Sequence, residues 1–185
     1  IPECGGLEAA RRQRLAAGRT GVVSTPPALR LVLFDFDGVL VRYSHRARLA
    51  HLARVAGSTS AHVAEVLFES GLERGYDSGA IKTETYLQRL GQGLGCTIDA
   101  ATWVDARVAG TQMDPAALQL VASVASRVRI GVLTNNGALM LDAIPRIVAP
   151  LFLMLDGRVL CSGVLGVRKP DRTIFEHALA HFDVR

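Results

Sequence analysis

Lysine is almost missing from this chain: only Lys82 and Lys169 occur, and the other 19 of its 21 basic residues are arginine. A lysine at any given position is therefore informative. Cysteine is scarce too. Cys4, Cys96 and Cys161 are odd in number and lack C-x-x-C spacing, so neither a disulfide framework nor a zinc site is indicated. A reducing cytoplasm is the expected compartment. Aromatic residues make up 5% of the sequence and do not interleave with Arg11, Arg12, Arg14, Arg19 and Arg30, so no nucleic-acid partner is expected. No apolar run approaches the roughly 18–20 residues that a membrane helix needs, and no secretory h-region is visible; no membrane partner is expected. What remains is a 185-residue chain, 49% apolar and 21% charged with a net charge of +4. That is globular composition, and its basic balance suits a small anionic substrate.

The sequence is organised around Leu31 to Val41. Leu31 to Phe34 is an uninterrupted apolar run, as expected of a strand buried on both faces of a parallel sheet. Asp35 and Asp37 follow, with Gly38 directly behind. Two anions at the end of a dry strand are costly unless a cation lies between them or one carboxyl is protonated. A polar Asp-Gly turn is the plainer reading of the same residues.

Residues 1–30 read as an N-terminal extension, with a short helix near Leu7 to Ala17 ended by Gly18, Gly21 and Pro26-Pro27. Its arginines suit a transit peptide, but Glu3 and Glu8 argue against one. Residues 44–110 lack strand signals. Helices are expected over Ser44 to Ala56, Ser60 to Ser70, Ile81 to Leu90 and Asp99 to Val108, stopped or capped by Gly57, Gly71 and Asp99. Gly91 to Gly95 resembles half a phosphate loop, but it follows a helix and is read as a turn. Asp114-Pro115 starts a further helix. Ile130 to Leu133 reads as a strand ending in Thr134-Asn135-Asn136-Gly137, and Ala138 to Ile144 as a helix bent or ended near Pro145. Leu151 to Leu155 reads as a third apolar run, with Asp156-Gly157 suited to a hairpin. A last helix opens at Arg168-Lys169-Pro170-Asp171 and should bury Ile174, Phe175, Ala178 and Leu179. His177 and His181 lie one helical turn apart, but with no third ligand in sight they read as a solvated face. Alternating strands and helices imply a doubly wound parallel sheet.

Asp35-Phe36-Asp37-Gly38-Val39-Leu40, then Thr134 at a strand end, then Lys169-Pro170 resemble, in order, the first three motifs of the haloacid dehalogenase-like (HAD) hydrolase superfamily. The turn Tyr76-Asp77-Ser78-Gly79-Ala80-Ile81 is similar to the cap turn of its haloacid dehalogenase/phosphatase subfamily. The resemblance implies an α/β fold: a Rossmann-like core from residues 31–43 and 111–185, with 44–110 inserted as a helical cap. The superfamily's fourth motif, acidic residues at the end of a further strand, has no counterpart. Asp171, Glu176 and Asp183 follow Lys169, none after an apolar strand. The C-terminal part of the core is therefore expected to be missing from this sequence.

The resemblance also implies roles. Asp35 would be the nucleophile and Asp37 the general acid and base; Thr134, Asn135 and Lys169 would hold the phosphoryl group. Mg²⁺ would bind at the Asp35 carboxylate and the Asp37 main-chain carbonyl. The expected function is a cytoplasmic Mg²⁺-dependent phosphatase acting on a small phosphate monoester. A 2-haloacid dehalogenase, or a truncated non-catalytic module, is the alternative. Neither the substrate nor the oligomeric state is legible.

Overall fold

The structure is a computed structural model describing residues 29–184; the expectations for residues 1–28 lie outside it. Strand β1 (Leu31–Phe34) runs through a turn into β2 (Val41–Tyr43). The turn depends on Gly38, whose φ of 77° is a conformation that side chains disfavour. Ser44 caps α1 (His45–Ala56), its Oγ accepting the Ala47 N–H at 3.2 Å, and Gly57 ends that helix in the left-handed region. Helix α2 (Ser60–Ala64) continues through a π-helical turn at Glu65–Glu69. Then come α3 (Leu72–Asp77), α4 (Thr83–Leu94) and α5 (Ala100–Ala109). Strand β3 (Thr111–Met113) returns antiparallel to β2. The rest alternates: α6 (Pro115–Ala125), β4 (Arg129–Thr134), α7 (Met140–Ile147), α8 (Phe152–Leu155), β5 (Val159–Cys161), α9 (Ser162–Leu165) and α10 (Arg172–His181).

Strands β1, β4 and β5 form a parallel sheet in the order β1-β4-β5, with Leu31 beside Arg129 and Thr134 beside Cys161. Parallel pairs need long crossovers; the helical block and α6 supply the first, α7 and α8 the second. The block joins the core through the β2-β3 pair, where Tyr43 sits beside Thr111. One apolar core runs from the sheet into the block, through Val132, Met140, Tyr76, Tyr86, Trp103 and Leu52. A smaller one, with Leu133, Leu160, Ile174, Ala178 and Phe182, lies under α10. Gly131 admits Phe182 there: a Cβ at 131 would meet the Phe182 ring at 2.3 Å. Among the described residues no helix is long and apolar enough to cross a membrane.

Several expectations need correction. β1 is half-buried along its length, and the enclosed strand is β4, buried from Ile130 to Thr134; among the described residues β1 pairs only with β4, and β4 is flanked on both edges. Residues 151–155 are helical, and Gly157 (φ 65°) leads into a strand parallel to β4, so there is no hairpin. A short apolar run has no periodicity to separate helix from strand. Leu72–Asp77 is a helix where none was expected, and α4 runs on through Gly91 and Gly93 to Gly95, so the glycine-rich stretch is its last turn. Of the two expectations at Pro145, a bend or an end, the helix does not end there: α7 continues through Pro145 to Ile147. In α10, Ile174 and Ala178 are buried but Phe175 and Leu179 are about 40% exposed; one i, i+4 ridge packs, not two. His181 Nε2 lies 3.0 Å from the Gly157 carbonyl.

Candidate active site

Parallel pairing of β1 with β4 places the residues that end these strands on one rim of the sheet, where ligands bind in open α/β folds. Asp35 follows β1, and Thr134 closes β4. Lys169, in the loop before α10, reaches both strands: its Nζ donates to the Leu133 carbonyl and lies 2.8 Å from Asp35 Oδ2. The other Asp35 oxygen accepts the Phe36 N–H at 2.8 Å. Asp35 is nevertheless 42% exposed, so the carboxylate is oriented yet open to a ligand.

Asn135 is occupied with the lysine loop. Its Nδ2 donates to the Lys169 carbonyl at 3.0 Å and its Oδ1 accepts the Lys169 N–H at 2.8 Å. Thr134, 1% exposed, offers its Oγ to Asn136 Nδ2 at 2.7 Å. The same Nδ2 lies 3.0 Å from Asp37 Oδ2.

Asp37 has a partner that the sequence did not suggest. Arg107, in the last turn of α5, donates from Nη2 to both Asp37 oxygens at 2.6 Å. The guanidinium is 2% exposed; it lies 3.8 Å from the Tyr43 ring centroid and its Nε is 2.9 Å from Met140 Sδ. So Asp35, Asp37, Thr134, Asn135 and Lys169 do converge, and Arg107, Asn136 and Tyr43 join them. Asn136 sits in the Thr-Asn-Asn-Gly turn and could have been suspected there. Nothing in the sequence marks Arg107, which lies 70 residues from Asp37.

A cleft of about 870 Å³ opens between the core rim and the helical block, with Asp37, Asn136 and Lys169 on one side and Arg48, Glu73 and Phe68 on the other. Its block side rests on a buried polar network. Arg48, 2% exposed, pairs with Glu73 through Nη1 and Nη2. Tyr86 Oη donates to Glu73 and accepts from Trp103 Nε1 at 2.9 Å. Burial opposes the charge on Glu73, but the bonded Arg48 outweighs it and holds the carboxyl below its usual range. Burial, with help from Arg48 and Arg107, pushes His45 down.

Asp77 joins the block to the core. Its Oδ1 accepts the Gly137 N–H at 2.9 Å, and Ser162 Oγ donates to its main-chain carbonyl. Burial, and then the nearby Glu73 charge, push its pKa up to about 7. The approach is close because Gly137 has no side chain: a Cβ there would lie 2.2 Å from the Tyr76 ring.

The rim offers a hard oxygen donor, the open Asp35 carboxylate. Mg²⁺ takes one or two carboxylates, keeps waters and binds substrate phosphate oxygens, so this donor fits it. Among the described residues no group of three or more His, Cys, Asp or Glu forms a closed cage.

Comparison with known proteins agrees with this fold. Solved structures with the same fold include a predicted HAD-like family hydrolase from Porphyromonas gingivalis (TM-score 0.67, 21% identity, 85% of this chain and 78% of that one). A HAD family enzyme from Bacteroides thetaiotaomicron, solved in complex with magnesium and inorganic phosphate, matches with TM-score 0.67 and 13% identity over 84% of this chain and 80% of that one. L-2-haloacid dehalogenase from Xanthobacter autotrophicus matches with TM-score 0.57 and 20% identity over 85% of this chain and 66% of that one. No curated protein matches the sequence. The haloacid dehalogenase-like hydrolase family profile matches residues 29–185, and the chain, a mixed α/β protein with the family's Rossmann-like parallel sheet, belongs to that family of hydrolases.

Proposed function

We propose that this hydrolase is a Mg²⁺-dependent phosphatase acting on a small phosphate monoester in the cytoplasm, with residues 44–110 as the cap over a core made of 31–43 and 111–185. The observation that carries the reading is the Asp35–Lys169 pair: an open carboxylate at the end of β1, with a lysine Nζ 2.8 Å from one oxygen. Asp35 attacks phosphorus, the bond to the leaving oxygen breaks, and an aspartyl-phosphate forms. Asp37 gives the leaving alcohol a proton, then takes one from the water that hydrolyses the acyl-phosphate. Lys169 and the Thr134 hydroxyl face the phosphoryl oxygens, where fixed donors and charge do most of the work. Asn135 supports the phosphate by fixing the Lys169 main chain. Mg²⁺, held by the Asp35 carboxylate and the Asp37 carbonyl, would neutralise phosphate charge as the nucleophile approaches.

A 2-haloacid dehalogenase would use the same nucleophile. Asp37 favours the phosphatase, because an alkoxide needs a proton on leaving and a halide does not. The experiment is a phosphate-release screen over metabolite esters, run with and without Mg²⁺, alongside Asp35→Asn. Release by the wild type and its loss by about 10³-fold or more in the variant are expected. Chloride release from 2-chloropropionate with no phosphate release would overturn the reading.

A further inference from the structure

Five cationic side chains line the cleft, and three are matched: Arg107 by Asp37, Arg48 by Glu73 and Lys169 by Asp35. Arg74 and Arg168 also line it and form no ion pair among the described residues. They come from opposite walls. Arg74 lies on α3 in the block; Arg168 precedes Lys169 in the core. Asp77 lines the cleft as well, three residues after Arg74 on α3 and close enough to feel the Arg168 charge. Its carboxyl already takes the Gly137 N–H, and burial beside Glu73 keeps it from being a full counter-charge near neutral pH. Asp171, the remaining acid of the lining, caps α10 by accepting the Thr173 N–H at 2.8 Å. The cleft, about 870 Å³ in volume, thus carries positive charge beyond that matched by Asp37, Glu73 and Asp35.

We infer that Arg74 and Arg168 form a subsite for a second anionic group, so that the substrate is a small phosphate ester carrying a carboxylate or a second phosphate. This rests on the phosphatase reading for the first anion only. Guanidinium forks suit both oxyanions, and a position straddling the two walls ties occupancy to the approach of block and core.

The test separates binding from turnover. Calorimetry on the Mg²⁺-loaded Asp35→Asn protein compares 3-phosphoglycerate with glycerol 3-phosphate, which differ by a carboxylate against a hydroxymethyl group. A second arm compares fructose 1,6-bisphosphate with fructose 6-phosphate. In at least one arm the two-anion ligand should bind about tenfold tighter or more. Adding Arg74→Ala and Arg168→Ala should bring that ratio to within about twofold of one, and Arg74→Lys with Arg168→Lys should restore part of it. The arm that shows the preference identifies the second anion. Ratios near one in both arms, or a ratio that survives the double alanine variant with its circular dichroism unchanged, would overturn the subsite. Wild-type turnover of glycerol 3-phosphate without preference removes the subsite and leaves the phosphatase. Preference in binding without phosphate release does the reverse.

Discussion

Arg107 Nη2 lies 2.6 Å from both carboxylate oxygens of Asp37, which joins the last helix of the block to the loop after β1. The arginine is buried against Tyr43 and Met140, and Asp37 is 27% exposed. The pair therefore fixes where that carboxyl points.

Replacing Arg107 by Met removes this restraint and leaves Asp37 with Asn136 alone. Stability should fall by about 2–4 kcal/mol, below the upper range for a fully buried pair because Asp37 is partly solvated. The catalytic efficiency kcat/KM for a phosphate ester should fall roughly 10–100-fold through misplacement of Asp37. Denaturant titration and steady-state kinetics check both. If Arg107→Met keeps wild-type efficiency, the restraint has no part in the reaction.

The Asp77 carboxyl makes stability depend on pH. Its pKa is about 7 in the folded protein against a usual 3.8. The folded state thus holds a proton that the unfolded state has lost between these values, and stability falls as pH rises through that window. Asp77→Asn keeps an acceptor for the Gly137 N–H and removes the charge. It should be more stable than the wild type at pH 8, by roughly 2 kcal/mol, with the advantage gone at pH 4. Thermal melts across that range decide it; an equal difference at both ends would show that Asp77 is not the titrating group.

Glu73→Gln should be among the more destabilising changes, at about 3 kcal/mol. It leaves the Arg48 charge buried without its counter-ion, and among the described residues Arg48 Nε already has no hydrogen-bond partner. Arg48→Met combined with Glu73→Leu should recover much of the loss. Urea unfolding of Arg48→Met, Glu73→Leu and the double variant measures the coupling, and additive losses would contradict the pairing.

Gly137→Ala should cost about 1–3 kcal/mol by overpacking, because its new Cβ would meet the Tyr76 ring at 2.2 Å. In a Tyr76→Ala background the same change should cost almost nothing. A cost unaffected by Tyr76→Ala would mean that the contact is not what excludes a side chain.

The sequence by itself determined what depends on neighbours along the chain. Apolar runs marked Leu31 to Phe34 and Ile130 to Leu133. Ser44, Asp99, Asp114 and Gly57 set helix ends through local hydrogen bonds and backbone conformation. Asp35, Asp37, Thr134 and Lys169 could be singled out because they resemble the family's motifs in order, and the parallel pairing of β1 with β4 places Asp35 and Thr134 on one rim. Only the tertiary structure decided what depends on contacts across the chain. The run at 151–155 became helix, and β4 rather than β1 became the enclosed strand, because burial is set by which edges are covered. Arg107 meets Asp37, Arg48 meets Glu73, and Asp77 meets the Gly137 N–H. A charged residue on a helix carries no mark of its partner in its own sequence neighbourhood. The partner is chosen by the packing that excludes water around the pair, and that exists only once block and core have come together.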